Sequence, residues 1–328
     1  LGIASSQGAG DDNEYDYEHI RNLQTQLFNY EYVVKYELFD GSQGGLDAPG
    51  NPTASNVSNI VNDGVGLILY TGHGSQTSFV TTGFSNSDIS NLTNTTKWPF
   101  ILSVACVNGD FSSGTCFAEA WLRARTGTTP KGAIATIMST INQSWNPPME
   151  GHDEMVNVLC ETSPGNIKHT FGGIVMSGCM KMNDSYGTGG YDMTDTWTVF
   201  GDPSLVIRTD TPKTMTVSHL QAIPIGSSQL VVNCNKNGAY ITVTLNDSII
   251  GTGIVSGGTA TINFTPLSYI DTLFVTATKY NYIPYMGEVS VVPASGPYVV
   301  YNSASINDAG GNNNGKADFG ENILLNLS

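Results

Sequence analysis

The chain has 328 residues, room for two domains and part of a third, and is 40% hydrophobic yet only 12% charged. Its 13 Lys and Arg stand against 28 Asp and Glu, a net charge of −15 that argues against phosphate backbones and anionic membranes, so no nucleic-acid partner is expected. No apolar run reaches the ~18 residues of a membrane span, and low charge with 37 Gly and many Asn, Ser and Thr suits a β-rich extracellular protein.

The opening Leu1-Gly2-Ile3-Ala4 reads as a strand with no initiator Met or signal peptide before it, as in a chain cut from a longer precursor. Residues 15–28 place Tyr17, Ile20, Leu23 and Leu27 near helical spacing, and Val33 to Phe39 follows as a strand. A short helix is expected over 54–62, buried strands over Val65–Tyr70, Phe100–Ala105 and Ala133–Met138, and helices over Cys116–Arg125 and Met149–Glu161. Continuous apolar strands alternating with amphipathic helices predict a parallel α/β sheet covered on both faces over residues 1–208.

The texture changes at Thr209-Asp210-Thr211-Pro212. Short alternating runs such as Tyr240 to Leu245, broken by Asn246-Asp247 and Ser256-Gly257-Gly258, predict an all-β immunoglobulin-like sandwich over 209–293. Residues 293–297 read as a linker, and 294–328 as the start of a further β module. Within that module Asp308, Asn312, Asn314, Asp318 and Glu321 space oxygen side chains as calcium loops do. A structural calcium ion and a plain Asn/Gly turn both fit this spacing.

The five cysteines (Cys106, Cys116, Cys160, Cys179, Cys234) contain no CxxC pair, so neither a zinc site nor a dense disulfide framework is indicated. Two of the buried strands end in chemistry. The one closing at Tyr70 runs into Thr71-Gly72-His73-Gly74-Ser75, and the one closing at Ala105 into Cys106-Val107-Asn108. Open parallel sheets bind ligands beyond the carboxyl ends of their strands. If the two strands are neighbours, about 4.8 Å apart, imidazole and thiol can meet. A thiol is mostly protonated at neutral pH, and an adjacent imidazole can take its proton. Amides of Gly74 and Cys106 could then serve as an oxyanion hole. The sequence around Ser75 is not the GxSxG elbow of the hydrolases, and no HExxH occurs. His19, His152, His169 and His219 read as surface or packing histidines.

These stretches resemble the gingipains, caspase-like cysteine peptidases, and among them the arginine-specific members. The shared segments are YTGHGS (70–75), VACVNGDF (104–111), CFAEA (116–120), STINQSW (139–145), DEM (153–155) and DTWTVFGDPSL (195–205), in the family's order. The resemblance implies a secreted or surface-bound endopeptidase cleaving after arginine through a thioester, with peptide substrates and no cofactor required for chemistry. It implies Cys106 as nucleophile, His73 as base, Gly74 in the oxyanion hole, Asp16 as the acid receiving the substrate arginine, Trp145 as the lid of that pocket and Met149 in its wall. It also implies a further subdomain before residue 1. Where the arginine-specific enzymes carry a glutamate near the histidine, this chain has Gln7, which leaves a dyad in place of a triad. In the lysine-specific relatives the pocket acid follows the tryptophan by three residues; here that position is Pro148. The alternatives are a Lys-tolerant peptidase and a binding or adhesion module that keeps the fold without turnover.

Overall fold

A computed structural model describes residues 1–295 and 304–327. The chain forms two compact units, Leu1–Thr211 and Pro212–Ser328.

In the first unit, six strands form one sheet: β1 (Gly2–Ala4), β2 (Glu37–Phe39), β3 (Leu67–Thr71), β4 (Phe100–Val104), β5 (Ala135–Ser139) and β6 (Trp197–Gly201). Their order across the sheet is β6-β5-β4-β3-β1-β2, parallel throughout except for β6, which runs antiparallel to β5. Every residue of β3, β4 and β5 is buried. Their side chains alternate between two apolar clusters, with Leu67, Leu69 and Leu102 in one and Ile68, Tyr70 and Ile101 in the other. Because both faces are covered, these strands read as unbroken apolar runs in the sequence.

The helices supply that cover. On one face α1 (Asp16–Tyr30) contributes Ile20, Leu23 and Leu27, joined by α2 (Asn146–Leu159) and α3 (Phe171–Tyr186). On the other, Ala54–Asp63 and Phe117–Arg123 bring Val57, Val61, Phe117 and Trp121. The strand expected from Val33 shortens to Glu37–Phe39, while Val33 and Val34 are exposed. Its partner β1 has only three residues, so the ladder offers no further pairing.

The second unit contains a three-stranded sheet, Val217–His219, Gln229–Cys234 and Thr259–Asn263, and a five-stranded sheet. In the latter Tyr240–Leu245, Ser248–Ile254, Thr272–Thr278 and Tyr285–Val292 pair antiparallel, and Ala222–Pro224 joins Tyr285–Val292 in parallel. Inward residues of both sheets, Leu230, Val232 and Ile262 with Ile241, Val243, Val275 and Val289, share one core, as in an immunoglobulin-like sandwich. Ala304–Asn307 and Leu324–Leu327 form a separate antiparallel ladder. Of the expected linker, residues 296 and 297 lie outside the described residues.

Candidate active site

Strands β3 and β4 are hydrogen-bonded neighbours in register, Thr71 opposite Val104, so the segments after them emerge side by side at the carboxyl edge of the sheet. His73 lies two residues past β3 and is exposed; Cys106 lies two residues past β4 and is half-buried. The His73 carbonyl is fixed twice, by the Tyr70 hydroxyl at 2.6 Å and the Val80 amide at 3.1 Å. Burial drives the Tyr70 phenol far above its usual range, so it stays a neutral donor.

The next residue must be glycine. A Cβ at Gly74 would run into the Cys106 carbonyl oxygen, so the two backbones cross in contact. On the Cys106 side, Val107 has φ +47, a conformation a β-branched residue adopts only under constraint. That constraint comes from the Val107 amide donating to the Ile141 carbonyl at 3.0 Å and the Gly109 amide to the Ser139 carbonyl at 2.8 Å. The Cys106 sulfur faces the Gln143 carbonyl oxygen at 4.0 Å.

One residue here escaped sequence reasoning. Asn108 is fully buried, and its Nδ2 donates to the carbonyls of Ser75 at 2.7 Å and Ser78 at 3.0 Å. It therefore ties the turn after Cys106 to the hairpin after His73. In the sequence, an Asn before Gly109 signals only a turn.

Asp16 is the first residue of α1 and is fully buried. Its Oδ1 accepts the Trp145 indole N–H at 2.7 Å, and its Oδ2 accepts the Ser5 hydroxyl. Burial raises the Asp16 carboxyl to about 6; the hydrogen bonds from Ser5 and Trp145, and the nearby His19 and His73 rings, pull the other way. Trp145 precedes α2, whose Pro147 and Pro148 in the first turn fix where the helix begins. The same indole lies edge-on to the His73 ring, with centroids 5.3 Å apart. Asp16, Trp145 and His73 thus form one contiguous patch, although 129 residues separate Asp16 from Trp145.

Met149, on the next turn of α2, is fully buried, and a Cβ at Gly10 would strike its methyl group. Gln7 is exposed, its carbonyl accepts the Asp16 amide at 2.8 Å, and its own amide donates to Ser5 Oγ at 3.2 Å. No described hydrogen bond joins its side chain to His73. The acid that does feel the His73 ring, besides Asp16, is Asp40, directly after β2; burial raises its carboxyl and the imidazole opposes that rise.

In the second unit, the loop from Asp308 to Glu321 closes on itself. Asp318 Oδ2 accepts the side-chain amides of Asn312 and Asn314, both at 2.7 Å, and Asp308 Oδ2 accepts the Gly315 amide at 2.9 Å. Glu321 Oε1 accepts the Asn312 amide, while its Oε2 is sealed from solvent with no partner. Asn312, Asn314 and Asp318 meet side chain to side chain, Asp308 and Glu321 hold backbone amides of the same loop, and Glu321 Oε2 is a buried acceptor left unused.

Residues 3–208 match the model of peptidase family C25, and residues 219–292 match the C-terminal Ig-like domain of the same family. The chain belongs to peptidase family C25. Gingipain R1 of Porphyromonas gingivalis is 44% identical over 284 residues, which is 86% of this chain and 28% of that protein. Gingipain R2 of the same organism is 41% identical over 295 residues, 89% of this chain and 39% of that protein. The chain therefore spans less than half the length of these curated relatives. The crystal structure of the Arg-specific cysteine proteinase gingipain R superposes with a TM-score of 0.82 at 40% identity, covering 88% of this chain and 66% of that one. The first unit of this C25 chain accordingly has the caspase-like α/β fold, and its second unit carries the Ig-like domain.

Proposed function

We propose that this C25 chain contributes the catalytic centre of a cysteine endopeptidase that cleaves peptide bonds after arginine. The observation that carries the reading is Trp145, whose indole joins the buried Asp16 carboxylate to the His73 ring. A recessed acid beside a reactive imidazole suits a substrate whose cation is carried by the residue that supplies the scissile carbonyl.

In this reading the guanidinium approaches Asp16 and takes the carboxylate oxygens now satisfied by Ser5 and Trp145, and the indole face shields the ion pair. His73 removes the Cys106 proton as the sulfur attacks the scissile carbonyl carbon, and the oxyanion forms against the amides of Gly74 and Cys106. His73 then passes the proton to the departing amine, leaving a thioester. Water, deprotonated by His73, attacks that thioester and releases the new carboxyl end with the thiol restored. None of these steps requires a cofactor. Asp40, whose carboxyl feels the His73 ring through its charge, is the acid this reading assigns to steadying the imidazolium, the role that Gln7 leaves open.

The same reading makes the protein secreted or surface-borne, acting on arginine-containing peptides and proteins. Among the described residues no helix is long and apolar enough to cross a membrane. The unpaired Glu321 Oε2, within a loop also containing Asp308, Asn312, Asn314 and Asp318, supports a structural calcium ion there. Chelation should then lower the thermal stability of that module, and an unchanged melting curve would remove calcium from the reading.

The test of the main proposal uses the full-length enzyme on fluorogenic peptides ending in Arg or Lys. Arg cleavage should dominate and vanish in Cys106→Ala. Equal or preferred Lys cleavage overturns the specificity, and undiminished activity in Cys106→Ala overturns the mechanism in favour of a non-catalytic module.

A further inference from the structure

Ser5 follows β1 directly and is buried. Its amide donates to the Thr71 carbonyl at 3.0 Å, and a Cβ at Gly72 would lie 3.3 Å from the Ser5 Cβ, so Ser5 packs against the turn that leads to His73. A serine hydroxyl has one proton to give and lone pairs to receive with. The Gln7 amide donates to Ser5 Oγ at 3.2 Å, and the Ser5 proton goes to Asp16 Oδ2. The Asp16 amide in turn donates to the Gln7 carbonyl at 2.8 Å. Ser5, Gln7 and Asp16 thus close a hydrogen-bonded ring that uses only the backbone of Gln7. The hydroxyl cannot turn away from the carboxylate without leaving a buried polar group unmet.

This ring acts on the plane of the carboxylate. The last torsion of an aspartate is soft, with broad wells, so burial alone does not set that plane. Trp145 holds Oδ1 at 2.7 Å and Ser5 holds Oδ2, so turning the group breaks one bond or the other. A carboxylate offers about two acceptor sites on each oxygen, and one on each stays open here. A guanidinium fork fills two parallel sites of this kind, whereas an ammonium is a point charge that gains nothing from their alignment.

We propose that Ser5 is a positioning residue of the arginine pocket, holding the Asp16 carboxylate in the plane that receives a guanidinium through both oxygens and so favouring arginine over lysine. This assignment rests on Asp16 being the acid that receives the substrate cation. The titratable groups facing Asp16 are His73, after β3, and His19, one turn along α1 and in contact with Glu14, Asp153 and His152. Ser5→Ala deletes one oxygen atom and leaves all of them in place.

The experiment compares Ser5→Ala with the parent in the full-length enzyme, on Arg and Lys fluorogenic peptides. KM for Arg peptides should rise about tenfold, with kcat changed by less than about threefold, because the lost bond acts on bound substrate and transition state alike. Lys peptides should lose less than about twofold in kcat/KM, so the preference for arginine narrows. Competitive inhibitors give the same split without turnover: benzamidine, a planar fork, should weaken about tenfold, and benzylamine, a single ammonium of similar size, hardly at all. The pH profile adds a readout that packing alone would not move. The Ser5 hydrogen bond favours the ionised carboxylate, so its removal should carry the rise in arginine capture from about 6 to higher pH. Equal losses for fork and point charge, or an inflection that stays in place, would overturn the assignment. An unchanged KM in Ser5→Ala beside a large loss in Asp16→Asn would sink the role of Ser5 alone, whereas no loss in Asp16→Asn would remove the arginine pocket with it.

Discussion

Strands β3, β4 and β5 of the first unit are buried along their whole length, whereas Gln229–Cys234 and Thr259–Asn263 of the second alternate strictly between core and water. A sheet covered on both faces can meet substrate only at the ends of its strands, and there His73, Cys106 and Asp16 gather. A sandwich has a free outer face along every strand, so its polar residues carry solubility and need no partner. Cysteine placement follows the same division. All five thiols are unpaired, but only Cys106 reaches water; Cys116, Cys160, Cys179 and Cys234 are buried. Burial pushes Cys160 up to about 12 and Cys179 up to about 11.

The sharpest challenge to this contrast is at the strand end. Cys106→Ala should lower kcat on Arg peptides by at least about 10⁴-fold, as expected for removing a nucleophile, without moving the melting temperature by more than a degree or two. Iodoacetamide should label Cys106 alone in the folded chain, and mass spectrometry showing equal labelling of Cys160 or Cys179 would contradict the burial argument.

Asp16 comes next in size. Replacing it by Asn keeps the shape and removes the charge; losing one partner of a buried ion pair costs about 2–4 kcal/mol, or roughly 30- to 1000-fold in kcat/KM for Arg substrates. The pH dependence has a definite sign. The carboxyl is raised from 3.8 to about 6, so it holds its proton further up the pH scale than a free acid would. Arginine capture by the free enzyme should therefore rise as pH climbs through about 6, and that inflection should be missing in Asp16→Asn. For stability the sign is opposite: ionising this buried acid costs free energy between its ordinary value and about 6. A pH profile unchanged by the substitution would detach Asp16 from substrate binding.

Much of this was readable in the residues, for a physical reason. Doubly covered strands must be continuous apolar runs, so β3, β4 and β5 declare themselves, and parallel neighbours bring the segments after them to one edge. The runs fix composition and not length of pairing, which is why Val33 and Val34 looked like strand although three-residue β1 gave them nothing to pair with. Asn108 was hidden because its significance is a meeting of loops. His19 and His152 read as ordinary packing histidines; 133 residues apart, they carry no spacing that signals their contact or the acids around them.

The smallest effect belongs to the outer face of the sandwich, and two substitutions in one sheet separate its faces. Ile241→Ala, in the core, should destabilise the second unit by about 2–5 kcal/mol. Phe274 stands on the outer face, 45% exposed, opposite Thr244 on one neighbour and Glu288 on the other. Phe274→Thr retains a residue that suits a strand and forfeits only cross-strand contact, a few tenths of a kcal/mol. Denaturant melts of the two variants should differ by several-fold in ΔΔG. A cost above about 1 kcal/mol for Phe274→Thr would mean that this face is covered in the folded protein, and the sandwich would then share the constraint that confines chemistry to the strand ends of the first unit.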